Sequence, residues 1–425
     1  MTNETIFTMD TSSIKYGPGS TREVGIDMKG LGATRVMVVT DPRVAKLEPV
    51  DITMKALKAE GIDAVLFDQS AVEPTDASLQ IAIDFATEGN FDGYVGVGGG
   101  SSLDTAKVAN LYSTYPDDLL TYVNAPIGKG TPVPGPLKPM IGIPTTAGTG
   151  SETTGVAVFD LLKMKAKTGI SHRRLRPQIG IIDPNNTATL PKMAVAACGL
   201  DVVCHAVESI TARPYNTRPA PESPIYRPSY QGANPISHGW ASRAIEMVSQ
   251  NIVRAFNDPE DEEARGQMLL AASIAGVGFG NAGCHLPHGM SYPISGMVRG
   301  YIPPGYPEDH PIIPHGMSVI MSAPAVFRFT AEADPAMHLY AADLLGADTK
   351  GAAPEDAGEI LANAMIKVMQ QTGVPNGLSA IGYTEDDIPA FVEATLPQHR
   401  LTKLSPRPAD RDDLAQLFKE SMVLW

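Results

Sequence analysis

Tyr94-Val-Gly-Val-Gly-Gly-Gly-Ser-Ser-Leu-Asp-Thr-Ala-Lys107 passes from a β-branched run through a glycine cluster into a helical stretch. Glycines let a backbone approach a phosphate closely, and a helix start offers unpaired N–H groups and a positive dipole end. A tight strand-to-helix turn would use the same residues, and the spacing is not GxGxxG. The surroundings give the loop its meaning. Residues 35–40 (RVMVVT), 64–67, 94–97, 140–143, 156–159 and 179–182 read as buried strands, and amphipathic segments at 50–60 and 78–88 lie between them. Such alternation predicts an α/β domain, a parallel sheet flanked by helices, over residues 1–185.

A second polar loop, Pro144-Thr-Thr-Ala-Gly-Thr-Gly-Ser-Glu-Thr-Thr154, again follows an apolar strand. Its hydroxyls and amides converge with no bulky side chain among them, which suits a phosphate, a ribose or a nicotinamide amide. Two anion-friendly loops at strand carboxyl ends point to one dinucleotide crossing the sheet edge.

Beyond residue 185 the pattern changes. Stretches 194–211, 239–256, 262–278, 355–371 and 412–422 read as helices, so residues 186–425 are expected to form an all-α domain. Two Pro/Gly-dense stretches, 124–139 and 214–235, read either as lid, interface or binding loops or as passive surface excursions.

That second half carries a metal-ligand pattern. Asp201 and His205 are spaced i, i+4 on one helix face. The pentapeptide Pro-His-Gly-Met-Ser occurs twice, at 287–291 and 314–318. The repeat assigns His288 and His315 as further ligands, with His285 the rival to His288. His172, His238, His310, His338 and His399 read as solvated or satisfied. One carboxylate and three imidazoles suit Fe(II), Zn(II), Mn(II) or Ni(II) rather than Ca or Mg. A set of four protein ligands must expand to admit a substrate oxygen, which favours Fe(II).

Composition narrows the partners. Lys and Arg number 33 against 47 Asp and Glu, a net charge of -14 that draws the chain to neither nucleic acid nor an anionic membrane. No stretch approaches the roughly 18 apolar residues of a membrane span, and residues 1–12 resemble neither a signal nor a transit peptide. Three cysteines, Cys198, Cys204 and Cys284, read as reduced thiols, which leads to the expectation of a cytoplasmic protein.

The residues quoted above, with Gly199-Leu-Asp201 and His205-Ala-Val-Glu208, resemble the iron-dependent (type III) alcohol dehydrogenases over nearly the whole chain. The resemblance implies an N-terminal dinucleotide-binding α/β domain facing an all-α C-terminal metal-binding domain across a cleft. It implies NAD and a divalent metal, a small alcohol, aldehyde or hydroxyacid substrate, and a homodimer or larger homo-oligomer. By the same resemblance Asp201, His205, His288 and His315 fall on the metal-ligand positions. Asp41 falls on the acid that engages the adenosine ribose. Gly99, Gly100 and Ser101 fall on the pyrophosphate loop, Gly98 and Asp104 count with them as cofactor-binding, Thr145, Thr146 and Thr149 line the cofactor, and Lys167 matches a lysine near its ribose.

Within the family, the stretches 280–296, 230–237 and 396–404 look most like the hydroxyacid–oxoacid transhydrogenases. Many relatives place a second histidine four residues after the third ligand. Here that place is Tyr292, so a phenol, Ser291 or water would move the proton next to His288. A carboxylate substrate needs a cation, and Arg173, Arg174, Arg176, Arg213, Arg218 and Arg227 are the candidates. Rival readings are a general alcohol dehydrogenase or aldehyde reductase, a lyase of the dehydroquinate-synthase kind, and a metal-assisted hydrolase lacking NAD.

Overall fold

The computed structural model describes residues 2–425 apart from Lys165, Pro307 and Asp309. The chain divides into two compact units, one of Asp10–Thr189 and one of Leu190–Trp425 together with Met1–Met9. The first nine residues, counted above with residues 1–185, thus pack with the second unit. The buried Glu4 carboxylate explains this, because it pairs with Arg227 at 3.0 Å and Arg218 at 3.4 Å.

In the first unit the strands are β1 (Ser13–Tyr16), β2 (Arg35–Val39), β3 (Asp63–Phe67), β4 (Gly93–Gly98), β5 (Met140–Pro144), β6 (Val156–Leu161), β7 (Ala166–Ser171) and β8 (Ile179–Ile182). Six of them form a sheet in the order β1-β8-β5-β4-β2-β3, parallel throughout. The helices are α1 (Val24–Gly30), α2 (Glu48–Ala59), α3 (Asp76–Gly89) and α4 (Gly100–Thr114). Alternation along β2 decides which helices lie where. Val36 and Val38 pack with Val24 and Met28 of α1 and Val50 and Leu57 of α2. Met37 and Val39 face the other way, toward Ala82 and Ala86 of α3 and Ala106 and Ala109 of α4. A sheet covered on both faces needs continuous apolar strands, and β2 is one.

The expectation for residues 156–159 needs correction. They form part of β6, which leaves the parallel sheet and pairs antiparallel with β7. Ala157, Phe159 and Ile170 of this hairpin close over Leu79 and Ile83 of α3 and Val108 and Leu111 of α4.

The second unit is helical: α5 (Lys192–Thr211), α6 (Pro235–Asn257), α7 (Glu262–Ala282), α8 (Leu286–Gly296), α9 (His315–Ile320), α10 (Ala323–Thr330), α11 (Pro335–Leu344), α12 (Ala357–Gln371), α13 (Ile388–Thr395), α14 (His399–Thr402) and α15 (Arg411–Glu420). Contrary to the hydropathy expectation, α5 is long and apolar enough to cross a membrane, but 89% of its apolar window is buried in the fold. It is the central core helix of its unit. Asn234 caps α6 by accepting from the Ile236 and Ser237 N–H groups, and Asp261 caps α7 through Ala264.

Candidate metal centre and cofactor loops

The glycine and threonine loops lie side by side because β4 and β5 are adjacent in register, and the Thr145 N–H donates to the Gly98 carbonyl at 2.9 Å. A Cβ at Gly100 would stand 2.8 Å from the Thr149 Cγ2, and one at Gly99 3.3 Å from the Thr146 Cγ2. Gly98 adopts φ +153°, and there a Cβ would meet Ser102. The loops therefore fit only as glycine against threonine. No side chain caps α4; the Ser102 N–H donates to the Gly99 carbonyl at 3.1 Å, and the Gly100 and Ser101 N–H groups ahead of it stand at the positive end of the helix, where an anion is favoured.

Other residues expected at the cofactor have protein partners. Asp41 Oδ1 accepts from the Arg43 and Val44 N–H groups, holding the turn after β2. The Ser101 hydroxyl donates to the Val72 carbonyl, and Lys167 pairs with Glu73 and Asp160. Asp104 accepts from the Ser151 hydroxyl at 2.6 Å, the Val158 N–H at 2.9 Å and Lys107 Nζ at 3.3 Å. The fully buried Lys107 also donates to Ser151 and to the Val156 carbonyl. Asp104 and Lys107 thus pin the threonine loop and β6 to α4. Asp104 acts as scaffold here.

In the second unit Asp201, His205, His288 and His315 come together from α5, α8 and α9, with one ligand atom of each within 4.8 Å of all the others. Asp201 Oδ1 stands 3.7 Å from His205 Nε2, 3.6 Å from His288 Nε2 and 3.9 Å from His315 Nε2. These separations are too long for hydrogen bonds. They match donors about 3–4 Å apart around one ion with bonds of about 2.0–2.2 Å. Asp201 Oδ1 and His288 Nε2 are buried with no hydrogen-bond partner. Orphaned lone pairs converging on one point fit a divalent cation.

Electrostatics agree. Burial alone would push the Asp201 carboxyl up, but His205, His315 and His288 beside it hold it well below the usual range. Burial also pushes His205 down to about 3, against the pull of Asp201, so its imidazole is neutral and able to bind a metal. Its ring stacks on Phe279 with centroids 3.9 Å apart, which walls off one side.

The repeated pentapeptide builds the same local device twice. Ser291 donates to the His288 carbonyl at 2.8 Å, and Ser318 to the His315 carbonyl at 2.6 Å. The glycines differ in purpose. A Cβ on Gly316 would meet the Ala197 carbonyl at 2.0 Å and Asp201 Cβ at 2.6 Å, so only glycine lets α9 lie against α5. At Gly289 the nearest atoms, on Thr402 and Leu401, lie at ordinary contact distance.

His285 lies outside the cluster. Thr211 Oγ1 donates to the Val207 carbonyl and therefore accepts from His285 Nε2, at 3.0 Å. Glu208, also on α5, had no role in the sequence reading. Its Oε1 accepts from the His285 and His288 N–H groups at 2.8 and 3.2 Å, and its Oε2 from His288 Nδ1. That fixes the tautomer and turns Nε2 to the cluster. The signal was present: Asp201, His205 and Glu208 lie at i, i+4 and i+7, one helix face.

Orphaned imidazole and carboxylate lone pairs, in a chain that also carries an anion-cradling loop pair, define a metal-assisted oxidoreductase. The iron-containing alcohol dehydrogenase family matches residues 11–184, and its C-terminal domain family matches residues 229–422. The chain is 53% identical to the mitochondrial hydroxyacid-oxoacid transhydrogenase of Bos taurus, over 100% of this chain and 91% of the relative. Identity to the same-named protein of Homo sapiens is 52% with the same coverage. A solved 1,3-propanediol oxidoreductase superposes with TM-score 0.85 at 27% identity, over 98% of this chain and 100% of that one. The chain belongs to the iron-containing alcohol dehydrogenase family. The expectation of a cytoplasmic protein is overturned by these relatives, which are named as mitochondrial. It rested on sparse reduced cysteines, and those do not distinguish one reducing compartment from another.

Proposed function

We propose that the chain is a metal-dependent, NAD-linked hydroxyacid–oxoacid transhydrogenase. It oxidises a hydroxyacid such as 4-hydroxybutyrate to its semialdehyde and reduces an oxoacid such as 2-oxoglutarate to the hydroxyacid. The observation that carries the metal-dependent reading is the set of orphaned, buried lone pairs on Asp201 and His288. The choice of hydroxyacid rests on the likeness to the transhydrogenases.

Asp201, His205, His288 and His315 would hold the ion, which we take as Fe(II). A divalent ion there supplies Lewis acidity toward the substrate oxygen, and the nicotinamide supplies the hydride acceptor and donor. The chain's own residues do the rest. Glu208 orients His288, and Phe279 shields His205 from water. The glycine and threonine loops, with the start of α4 that no side chain caps, would take the cofactor's pyrophosphate. Ser291 has committed its hydroxyl hydrogen to the His288 carbonyl. Tyr292 Oη accepts from Arg400, and no acceptor for its own hydrogen lies among the described residues. We therefore assign Tyr292 to receive the substrate hydroxyl proton while passing its own to water.

The test is turnover of metal-loaded protein with 4-hydroxybutyrate and catalytic NAD. Semialdehyde in excess of total NAD only when 2-oxoglutarate is present supports the proposal. NADH release from simple alcohols, with no such dependence, would make it an ordinary alcohol dehydrogenase, a reading favoured by the structural likeness to the 1,3-propanediol oxidoreductase.

A further inference from the structure

The six arginines expected to meet a substrate carboxylate are all engaged within the protein. Arg218 and Arg227 pair with Glu4, and Arg173 pairs with Asp10 at 2.7 Å. Arg174, Arg176 and Arg213 donate to the carbonyls of Val133, Thr153 and Thr217. Arg400, on α14, is different. It is half-buried, and no carboxylate lies within ion-pair distance of it among the described residues. One Nη2 donates to Tyr292 Oη at 2.7 Å, and the guanidinium carbon lies 4.9 Å from the centre of the Tyr230 ring.

Its position follows from local packing. Tyr292 lies one helical turn beyond His288 on α8. At Gly283, with φ +101°, a Cβ would meet Leu404 Cδ1 at 2.4 Å and Tyr230 Cβ at 2.9 Å. Only glycine there lets the chain ahead of α8 sit against both neighbours. Three separate stretches, around Tyr230, Gly283–Tyr292 and Arg400–Leu404, thereby meet one turn from His288. The same three carry the likeness to hydroxyacid–oxoacid transhydrogenases.

A guanidinium withdrawn from water without a counter-ion is unfavourable, and two aromatic partners only partly compensate it. Its planar fork presents five N–H donors, a geometry that matches a carboxylate bidentately. We propose that Arg400, braced by Tyr292 and Tyr230, binds the substrate's carboxylate and selects hydroxyacids and oxoacids over neutral alcohols and carbonyls. The inference rests on the transhydrogenase reading. One anchor serves both half-reactions, so the hydroxyacid and the oxoacid compete for it.

The test compares kcat/KM for 4-hydroxybutyrate with that for its uncharged isostere, 4-hydroxybutyramide, in wild type, Arg400→Met and Arg400→Lys. The expected result is a strong wild-type preference for the acid. The acid-to-amide ratio then falls on the order of 100-fold in Arg400→Met, mostly through KM. In Arg400→Lys it falls about 10-fold, because charge remains but the fork is gone. The Lys variant keeps a cation over Tyr230 and covers the case in which the Met variant does not fold. The KM for 2-oxoglutarate rises in parallel. A wild-type preference that survives both substitutions would overturn the role of Arg400 and leave the transhydrogenase reading standing. A wild type that does not prefer the acid would sink that reading, and the Arg400 assignment with it.

Discussion

Glu208 holds His288 by two hydrogen bonds, accepting from its imidazole Nδ1 and its backbone N–H, and accepts a third from the N–H of His285. The carboxylate is fully buried, so no water replaces any of these bonds. Its effect on the metal is indirect, through the tautomer and angle of one ligand. Glu208→Gln keeps an oxygen acceptor but removes the charge. It should weaken metal binding by about 10–100-fold, with activity recovered as metal is added in excess. Competition against a chelator measures the affinity, and equal affinity in variant and wild type would remove Glu208 from the metal's support.

Stripping the ion should reach further than activity. It leaves Asp201 Oδ1 and His288 Nε2 buried with no hydrogen-bond partner. A cation present at 100 times its Kd stabilises the fold by about 2.7 kcal/mol. Chelator-treated protein should therefore melt several degrees lower and regain its Tm on reloading with Fe(II) or Zn(II). His315→Ala and His288→Ala should both abolish turnover. Of the four residues proposed to hold the ion, His315 is the most exposed, its side chain 31% against 2% for Asp201, so its variant should stay closer to wild type in Tm. Identical melting with and without metal would argue against the site.

At the nucleotide loops, Gly100→Ala places a methyl 2.8 Å from Thr149 Cγ2 and 3.0 Å from its hydroxyl. Thr149 Cβ is itself only 3.2 Å away, so turning the threonine side chain alone does not relieve the whole contact. The expected outcome is a modest loss of stability, about 1–3 kcal/mol, with NAD binding weakened about 10-fold or more. Fluorescence titration with NAD separates the two effects. Unchanged NAD binding would mean that the two loops do not act as one cradle.

The sequence made the sheet legible because β2, β4, β5 and β8 are covered on both faces and read as apolar runs. It could not separate β6 from them. Val156, Ala157 and Phe159 are equally buried, and a strand's composition does not record whether its partner runs parallel or antiparallel. The first strand, Ser13–Tyr16, escaped notice because it lies at the sheet edge and is mostly polar. His288 and His315 stood out through repetition and His205 through its spacing from Asp201, whereas Glu208 and Arg400 stand in no repeat and meet neighbours distant in sequence. The arginine-rich 172–176 stretch drew attention by density, but its charges serve Asp10 and backbone carbonyls. Asp104 misled in the opposite way. Inside the glycine motif it belongs to the scaffold, so Asp104→Ala should lower Tm by loosening Lys107, Ser151 and Val158 together.

His285 supplies a pH signature separate from the metal ligands. Its Nε2 hydrogen goes to Thr211, and burial pushes the imidazole down from its usual 6.5 to about 4. The unfolded chain takes up a proton near pH 6.5, whereas the folded one resists until about pH 4. The folded state therefore binds fewer protons across that window, and stability falls as pH drops through it. The effect is absent above pH 6.5 and complete below about pH 4, amounting to about 3 kcal/mol. His285→Gln keeps a donor for Thr211 but cannot titrate, so its stability should fall less steeply between pH 6.5 and 4. Denaturant unfolding at half-unit pH steps gives both slopes, and parallel curves for variant and wild type would show that His285 titrates alike in folded and unfolded chains.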